Sequence, residues 1–582
     1  MLVETPLTFV DDFETLQEFW RWLGERRPIL AIDIETTGLS LARDRIRLMQ
    51  FGDGAHGWAI PWDLYNGVAK EALARYDRPM VGHHVKFDVG FLARAGARVS
   101  WTHLHDTLPM CFLLNSAGPK SLKAASGHYV DPAARAGQHT LKALMARNRW
   151  TWATIPVTNP IYWGYASGDT VLTALLAEKL WPLVQPYRQA YDLELACERV
   201  LCEMELRGVR IDVPYCEAQL GDLEVQLEKL LLDLEPLNPN APHQVAAALE
   251  SFGVHLTKRT KAGKQAVDDE VLSALVRTAP DPVRQLAARV SEARDVQKLV
   301  SAFFGNFLRF RDGDLLHPHF NQLAARTGRM SVSEPALQQV PKQAMVRDAF
   351  IPRDGNRLVV ADYDNQEVRL AAHFSRDPAL LAAFAEDPPR DLHADTARRV
   401  YGVETPSSDQ RAVGKRAFFA LSYGAGVPKF ALTTGLSEAD AAQVFNAIGE
   451  LYPGLKAGMA TATRRIRSRA SAAGTKTGWI QLGDTRKLHV PTDAAYKGWN
   501  FLIQGTGASV MKQALVDLDR VGLGDYLNLT VHDEVQLDVP EPEAQEAARV
   551  TVETLRRDDF TVPLTASSKI LDRWGTAYRE DE

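Results

Sequence analysis

Several residues in this chain have the types and spacing for chemistry on phosphate esters. Asp33 and Glu35 stand two apart in PILAIDIETTGLS; on a strand that spacing puts both on one face. Their neighbours are apolar, and two buried acids side by side are costly without a cation. Asp88 follows in VGHHVKFDVGFL, and YWGYASGDTVLTALL sets Tyr165 and Asp169 four apart, on one face of a helix. Four carboxylates and a tyrosine suffice to hold two divalent ions and orient a water, as two-metal phosphodiester hydrolysis requires. Such hard oxygen ligands suit Mg²⁺ or Mn²⁺.

A second group lies in the C-terminal half. The apolar run Leu358 to Ala361 ends in Asp362, and LNLTVHDEVQLDV alternates with period two until Asp533. Asp533 either fills a slot of the apolar register or sits at the tip of a hairpin that breaks it; both put an acid where a hydrophobe is expected. SDQRAVGKRAFFALSYG, Ser408 to Gly424, repeats Arg411, Lys415, Phe419 and Tyr423 every fourth position. On a helix this is a stripe of two cations and then two rings. It suits a ligand with phosphates at one end and a base or sugar at the other. Charges near a helix start and aromatics entering a core would give the same spacing.

The elements that position these residues follow from periodicity and punctuation. Ser408 or Asp409 is the expected N-cap of the stripe helix and Gly424 its stop. AYDLELACERVLCEMELRGVRID reads as a helix ended by Gly208, and CEAQLGDLEVQLEKLLLDLEPL as a second helix broken by Pro236. Beyond a short capped helix, TKRTKAGKQ forms a basic turn of Lys258, Arg259, Lys261 and Lys264. A second basic cluster, Arg464, Arg465, Arg467 and Arg469, falls on a helix. Each cluster reads as a solvated face or as a polyanion contact.

With 582 residues the chain holds two or more domains. Its 46% hydrophobic and 24% charged content is that of a soluble globular protein. The four cysteines form no CxxC pair, which points away from a disulfide framework and a zinc site and towards a reducing compartment. The first residues carry acids where a signal peptide needs positive charge, and no apolar run reaches membrane-spanning length. The net charge of −6 decides nothing about nucleic acid, because metal-holding carboxylates offset basic patches in the sum.

The motifs carry a resemblance. DIET, HxxxD containing KFD, and YxxxD resemble, in that order, the motifs of proofreading 3′–5′ exonucleases with a ribonuclease H-like fold. The resemblance implies Asp33, Glu35, Asp88 and Asp169 as metal ligands and Tyr165 as the residue orienting the attacking water. His84 stands where that family usually has Asn. MELRGVRID and NPNAPHQ resemble the thumb of family A DNA polymerases, implying phosphate contacts by Lys258, Arg259, Lys261 and Lys264. DYDNQEVRL, the stripe helix and VHDE resemble that family's motifs A, B and C. Asp362 and Asp533 are then expected to hold two Mg²⁺ ions. Lys415 is expected to donate a proton to the leaving group, and Arg411, Lys415 and His393 to bind the triphosphate. Phe419 would stack on the nucleotide, Tyr423 would back the templating position, and Glu367 would exclude a ribose 2′-hydroxyl. TGRMSVSEPALQQVP and NFLIQGTGASVMKQA imply DNA contacts by Arg329, Gln338, Asn500 and Gln504, and VHDE adds His532.

The implied architecture is a multi-domain α/β chain. Residues 1–190 form a ribonuclease H-like exonuclease domain with a mixed sheet, and 191–582 a right-hand polymerase domain. Within the latter, 191–316 is the thumb, 317–370 and 485–582 the antiparallel-sheet palm, and 371–484 the fingers. No 5′-nuclease domain is expected. Asp364, Gln366, Ala336, Gln339 and Tyr496 depart from the family's usual residues, and Asp364 adds a third acid near the metal site. The expected activity is template-directed DNA synthesis with proofreading, on primer–template DNA and deoxynucleoside triphosphates. Mg²⁺ is the expected cofactor, replaceable by Mn²⁺. The enzyme is expected to be a cytoplasmic monomer, of bacterial or bacteriophage type, working with replication accessory proteins. The alternatives are an exonuclease with a degenerate polymerase-like DNA-binding module, and a non-catalytic replication scaffold.

Overall fold

Apolar runs in the first hundred residues build a six-stranded mixed sheet in the computed structural model, which describes residues 5–578 except 26, 136, 261, 387, 424, 425 and 435. The strand Leu30–Thr36 lies inside the sheet, antiparallel to Ile46–Gly52 and parallel to Met80–Gly82. It is buried at every position except Asp33 and Glu35, which are half-buried on one face. The helix Val85–Arg94 starts directly after the neighbouring strand. His84 turns the chain in the left-handed region (φ 66°), and the Asp106 carboxylate accepts from the His84 and Val85 amides at 3.0 and 2.7 Å. The long helix Pro160–Val184 is capped by Asn159, has proline at its first position, and packs across the sheet.

The helix Arg188–Arg207 joins the two halves of the molecule through buried charge. Glu194 accepts from Lys512 at 2.8 Å and from Arg486 at 2.6 Å, all three fully buried. About three turns further on, Glu205 pairs with buried Lys86 of the N-terminal half and accepts from the Phe320 amide at 2.6 Å. These pairs fix the two halves in one register, which is the best-attested role of buried ion pairs. Gly208 ends the helix at φ 72°, where a Cβ would stand 2.6 Å from the Leu316 carbonyl oxygen.

The helices Val213–Leu234 and Val283–Lys298 then form an arm whose tip has its own small core of Leu249, Leu272, Ala287 and Val290. The basic turn lies at this tip. Lys258 is not free there: Asp268 at 2.7 Å and Glu270 fold back onto its ammonium. Arg259 and Lys264 are exposed, and Lys261 lies outside the described residues.

The C-terminal sheet is four-stranded and antiparallel, in the order Leu527–Val531, Glu534–Pro540, Asn356–Tyr363, Ala566–Leu571. Asp533 sits at the tip of the hairpin between the first two strands, with His532 in the left-handed region (φ 59°). The choice the alternation left open is thus resolved in favour of the tip. The strand carrying Asp362 runs two residues further than its apolar stretch, to Tyr363. The helix Ala544–Leu555 packs against it, while the helices Gln366–Ser375 and Gly498–Leu518 and the stripe helix, Ser408–Ser422, line the space in front of Asp362. The cap of the stripe helix is one residue earlier than expected. Ser407 Oγ accepts from the Gln410 amide at 3.3 Å, while the Gln410 side chain accepts from the Ser407 amide at 2.9 Å. That reciprocal pair needs an oxygen three residues before Gln410, which neither Ser408 nor Asp409 supplies. The expected stop, Gly424, lies outside the described residues.

Two candidate active sites

The first site gathers all four N-terminal acids. Asp88 Oδ1 accepts at 2.9 Å from the Ile34 amide, the peptide between Asp33 and Glu35. Burial pushes Asp33 up to about 7, against the pull of Lys123. Burial and the Asp33 charge push Glu35 up to about 8, and the same two causes raise Asp88 well above the carboxylate range. Asp169 completes the group from the long helix. Its carboxylate is paired with Lys123, whose ammonium also lies 4.4 Å over the Tyr165 ring. Burial lowers Lys123 itself to about 8. Lys123 was not singled out in the sequence. SLKAASG reads as an ordinary helix start, and only the fold carries its side chain to the acids.

His84, the residue where Asn was expected, turns to the other half of the molecule. Its ring meets His319 edge-on at 5.4 Å, and burial with the nearby Lys86 charge lowers it to about 3. The neutral ring packs at the junction of the two halves.

The second site is a cleft of about 530 Å³ between the C-terminal sheet and the stripe helix. The Tyr363 amide donates to the Asp533 carbonyl at 3.2 Å, which brings the distant Asp362 and Asp533 side by side. Burial and the Asp533 charge push Asp362 up to about 7, and burial raises Asp533. Asp362 Oδ1 is buried without a hydrogen-bond partner. Lys415, Phe419 and Tyr423 line the opposite wall, with the two rings stacked at 5.7 Å. Glu367 bridges the cleft, paired with Arg329 and accepting from the Tyr423 hydroxyl, which also bonds Gln504. Gln338 and His532 line the floor.

Other expected residues stand apart. Arg411 is exposed and its Nε donates to Asp391 at 2.6 Å, because Asp391 is the N-cap of the adjacent helix Leu392–Tyr401. His393 is buried behind Phe419, 5.8 Å between ring centres, and burial with Lys415 and Arg411 holds it down to about 4. Asn500 lies off the cleft, one turn before Gln504, with its side-chain oxygen buried and unpartnered. Asp364 lies past the strand end, in the turn before the helix Gln366–Ser375, and its charge adds to the rise of Asp362. Its oxygens are taken up by the Thr565 and Ser567 hydroxyls, which donate at 2.8 and 3.0 Å. Two charged residues close to Asp362 went unremarked in the sequence. Lys342 follows the quoted Pro341 and pulls Asp362 down against its other neighbours. Glu534, in VHDE, is drawn off by the Trp574 indole at 2.9 Å.

Among the described residues no three His, Cys, Asp or Glu side chains converge closely enough to hold a metal ion by themselves. The donor chemistry of both sites nonetheless fits divalent ions. Carboxylates are forced together in each, and Asp362 presents an orphaned oxygen. Mg²⁺ characteristically takes one or two carboxylates and completes its shell with water and substrate phosphates.

Comparison with known proteins decides the family. The model of DNA polymerase family A matches residues 215–576. The chain belongs to DNA polymerase family A. A 3′–5′ exonuclease model matches residues 7–185, so this family A polymerase carries an exonuclease domain ahead of its polymerase domain. The DNA polymerase of Mycobacterium phage D29 is 30% identical over 99% of this chain and 98% of its own. DNA polymerase I of Chloroflexus aurantiacus is 29% identical over 98% of this chain and 63% of its own. The fold matches the POL domain of Pol1 from M. smegmatis, solved in complex with DNA primer-template and dNTP. The TM-score is 0.79 at 22% identity, over 98% of this chain and 100% of that one. The six-stranded first domain and the antiparallel-sheet second domain are thus those of a proofreading polymerase. No helix among the described residues is long and apolar enough to cross a membrane.

Proposed function

We propose that Asp362 and Asp533 are the metal-holding carboxylates of a DNA synthesis site that extends a primer 3′ end on a template. The observation that carries this is their juxtaposition at one end of the sheet, facing the Lys415–Phe419–Tyr423 wall across a cleft open to solvent. Two Mg²⁺ ions held there would lower the pKa of the primer 3′-hydroxyl and neutralise the triphosphate and departing pyrophosphate. Lys415, exposed and without a carboxylate partner among the described residues, meets the triphosphate and donates a proton to the leaving pyrophosphate. Arg411 reaches the same phosphates by exchanging Asp391 for them, and His393 steadies Phe419 from behind. Phe419 stacks on the incoming base, and Tyr423 backs the templating position. Glu367, tied to Arg329 and Tyr423, presents a wall where a ribose 2′-hydroxyl would sit. Arg329, Gln338, Asn500, Gln504 and His532 follow the primer–template, and Arg259 and Lys264 of the arm grip its backbone with Lys261.

In the first domain Asp33, Glu35, Asp88 and Asp169 hold the metal ions of the 3′–5′ exonuclease, and Tyr165 orients the attacking water. Mn²⁺ substitutes for Mg²⁺ at both sites. The domains run 1–190 and 191–582, with thumb, palm and fingers as the sequence implies. The enzyme acts as a monomer in a bacterial cytoplasm or in that of a phage's host, alongside replication accessory proteins. Primer extension and 3′-end degradation, assayed on the same preparations, test this reading. Extension should vanish with Asp362→Ala and degradation with Asp33→Ala. Full extension by the Asp362→Ala enzyme would overturn the assignment.

A further inference from the structure

One cation stands inside the N-terminal acid cluster, and no role above uses it. Lys123 pairs with the Asp169 carboxylate, and its ammonium lies 4.4 Å from the centre of the Tyr165 ring. Its charge also reaches Asp33 and Glu35, where it opposes the rise of both. A single ammonium thus acts on three of the four acids and on the tyrosine of the proposed exonuclease site. The paired side chains are nearly closed to solvent, 13% exposed for Lys123 and 9% for Asp169. Salt and water screen such a pair far less than one on the surface.

Local rules do not favour a cation in this position. Lys123 is the second residue of the helix Leu122–Tyr129, whose first turn holds no acid. A lysine there stands against the positive end of the helix dipole. The compensation comes from elsewhere in the fold: this helix packs on Pro160–Val184, which carries Asp169 to the lysine. Breaches of local preference concentrate at functional sites. The other cation whose field reaches the cluster, Arg47, opposes Glu35 less strongly than Lys123 does and donates to the Trp152 carbonyl at 2.7 Å. Among the described residues, Lys123 is the one cation paired with any of the four acids.

A divalent ion in this site would need Asp169 as an oxygen ligand, and the ammonium holds that same carboxylate. Two positive charges a few ångströms apart repel strongly where water is scarce. We propose that Lys123 is the resident counter-ion of the exonuclease site, competing with the divalent ion for Asp169 and so raising the metal concentration at which 3′-end degradation begins. Lys123 releases Asp169 as the site is loaded, and its flexible four-carbon stem lets the ammonium withdraw without a backbone movement. In this role Lys123 acts through Asp169 and is a positioning residue. A lysine that only steadied Asp169 for the ion would do the opposite, and its loss would weaken metal binding. The proposal rests on Asp33, Glu35, Asp88 and Asp169 being the exonuclease's metal ligands.

The test reads metal binding first and activity second. The whole chain carrying Asp362→Ala and Asp533→Ala, which remove the synthesis site's own ligands, is titrated with Mn²⁺ without DNA, and the free ion is followed by its EPR signal. In that background Lys123→Met should tighten Mn²⁺ binding by about tenfold, and Lys123→Arg, which keeps the charge, should leave it nearly unchanged. Asp33→Ala should remove the ion that Lys123→Met tightens. With both aspartates restored, Lys123→Met should lower the Mg²⁺ concentration for half-maximal degradation of a single-stranded 3′ end by about fivefold, and leave that for primer extension where it was. Unchanged Mn²⁺ binding by Lys123→Met overturns the proposal, and so does weaker binding, which would make the lysine a support of Asp169. Should Lys123→Met fold poorly, judged by lost primer extension, Lys123→Gln repeats the comparison. If Asp33→Ala removes no Mn²⁺, the reading of the four acids as metal ligands fails instead.

Discussion

On the strand Leu30–Thr36 the acids face a cation from their own chain: Lys123 pairs with Asp169 and pulls on both Asp33 and Glu35. On the strand Asn356–Tyr363, Asp362 keeps a buried oxygen without a partner, and the exposed Lys415 stands on the opposite wall of the cleft. Both sites force carboxylates together, and both raise Asp33 or Asp362 to about 7. The first is partly neutralised by the protein. The second is open, and the charge it lacks must arrive with metal and triphosphate. The contrast suits the two tasks. A hydrolytic site needs only a strand end and water, whereas a synthetic site must stay receptive to a highly charged substrate and remain idle without it.

The sharpest way to break this comparison is to silence each site alone. Asp362→Ala and Asp533→Ala should each reduce extension by roughly 10³-fold or more, beyond the usual loss of a single transition-state donor, with 3′-end degradation intact. Asp33→Ala should do the reverse. Loss of both activities from one substitution would mean that the sites share more than the connecting helix.

A smaller effect is expected from the wall facing Asp362. Lys415→Ala should lower the single-turnover rate by roughly 10²-fold with little change in primer–template affinity, as for loss of a general acid. A raised KM for nucleotide at an unchanged rate would show that Lys415 only binds. Phe419→Tyr should ease incorporation of dideoxynucleotides. A hydroxyl added to the ring that faces the nucleotide sugar gives a donor where the 3′-hydroxyl is missing. Competition between dideoxy- and deoxynucleotide measures it, and an unchanged ratio would reorient the stripe.

How much of this was legible depends on whether the deciding contact is local. Asp33 with Glu35 and Tyr165 with Asp169 follow from strand and helix periods, and the stripe of Lys415, Phe419 and Tyr423 from a four-residue repeat. The hairpin tip at Asp533 was one of two readings that alternation allowed, because the tip residues keep the same parity as the strands. Illegible were the partners that the fold delivers from elsewhere. Asp391 holds Arg411 because it caps a different helix, and Glu270 reaches Lys258 only because the arm's tip folds back. Lys123 enters the acid cluster from a segment with no motif at all. Cations are legible as charges in a sequence, but whether they are free for a ligand is a tertiary fact.

The smallest expected effect isolates Lys123 and is read in stability, in chelator, without substrate. Asp33 and Glu35 rise from ordinary values of 3.8 and 4.5 to about 7 and about 8 on folding. Between those limits the folded state binds more protons than the unfolded one, so stability falls as pH rises from about 4 to about 8. Lys123 runs the other way. Burial lowers it from 10.5 to about 8, so the unfolded state binds more protons above that point and stability recovers as pH rises further. Thermal melts of the metal-free enzyme should therefore show a shallow minimum near pH 8. Lys123→Met should steepen the fall, because both acids lose the ammonium that opposes their rise, and abolish the recovery. Asp33→Asn should flatten the fall and raise Tm at pH 8 while eliminating degradation. If Lys123→Met leaves the profile unchanged, the lysine is a bystander, and the two carboxylate sites are electrostatically alike after all.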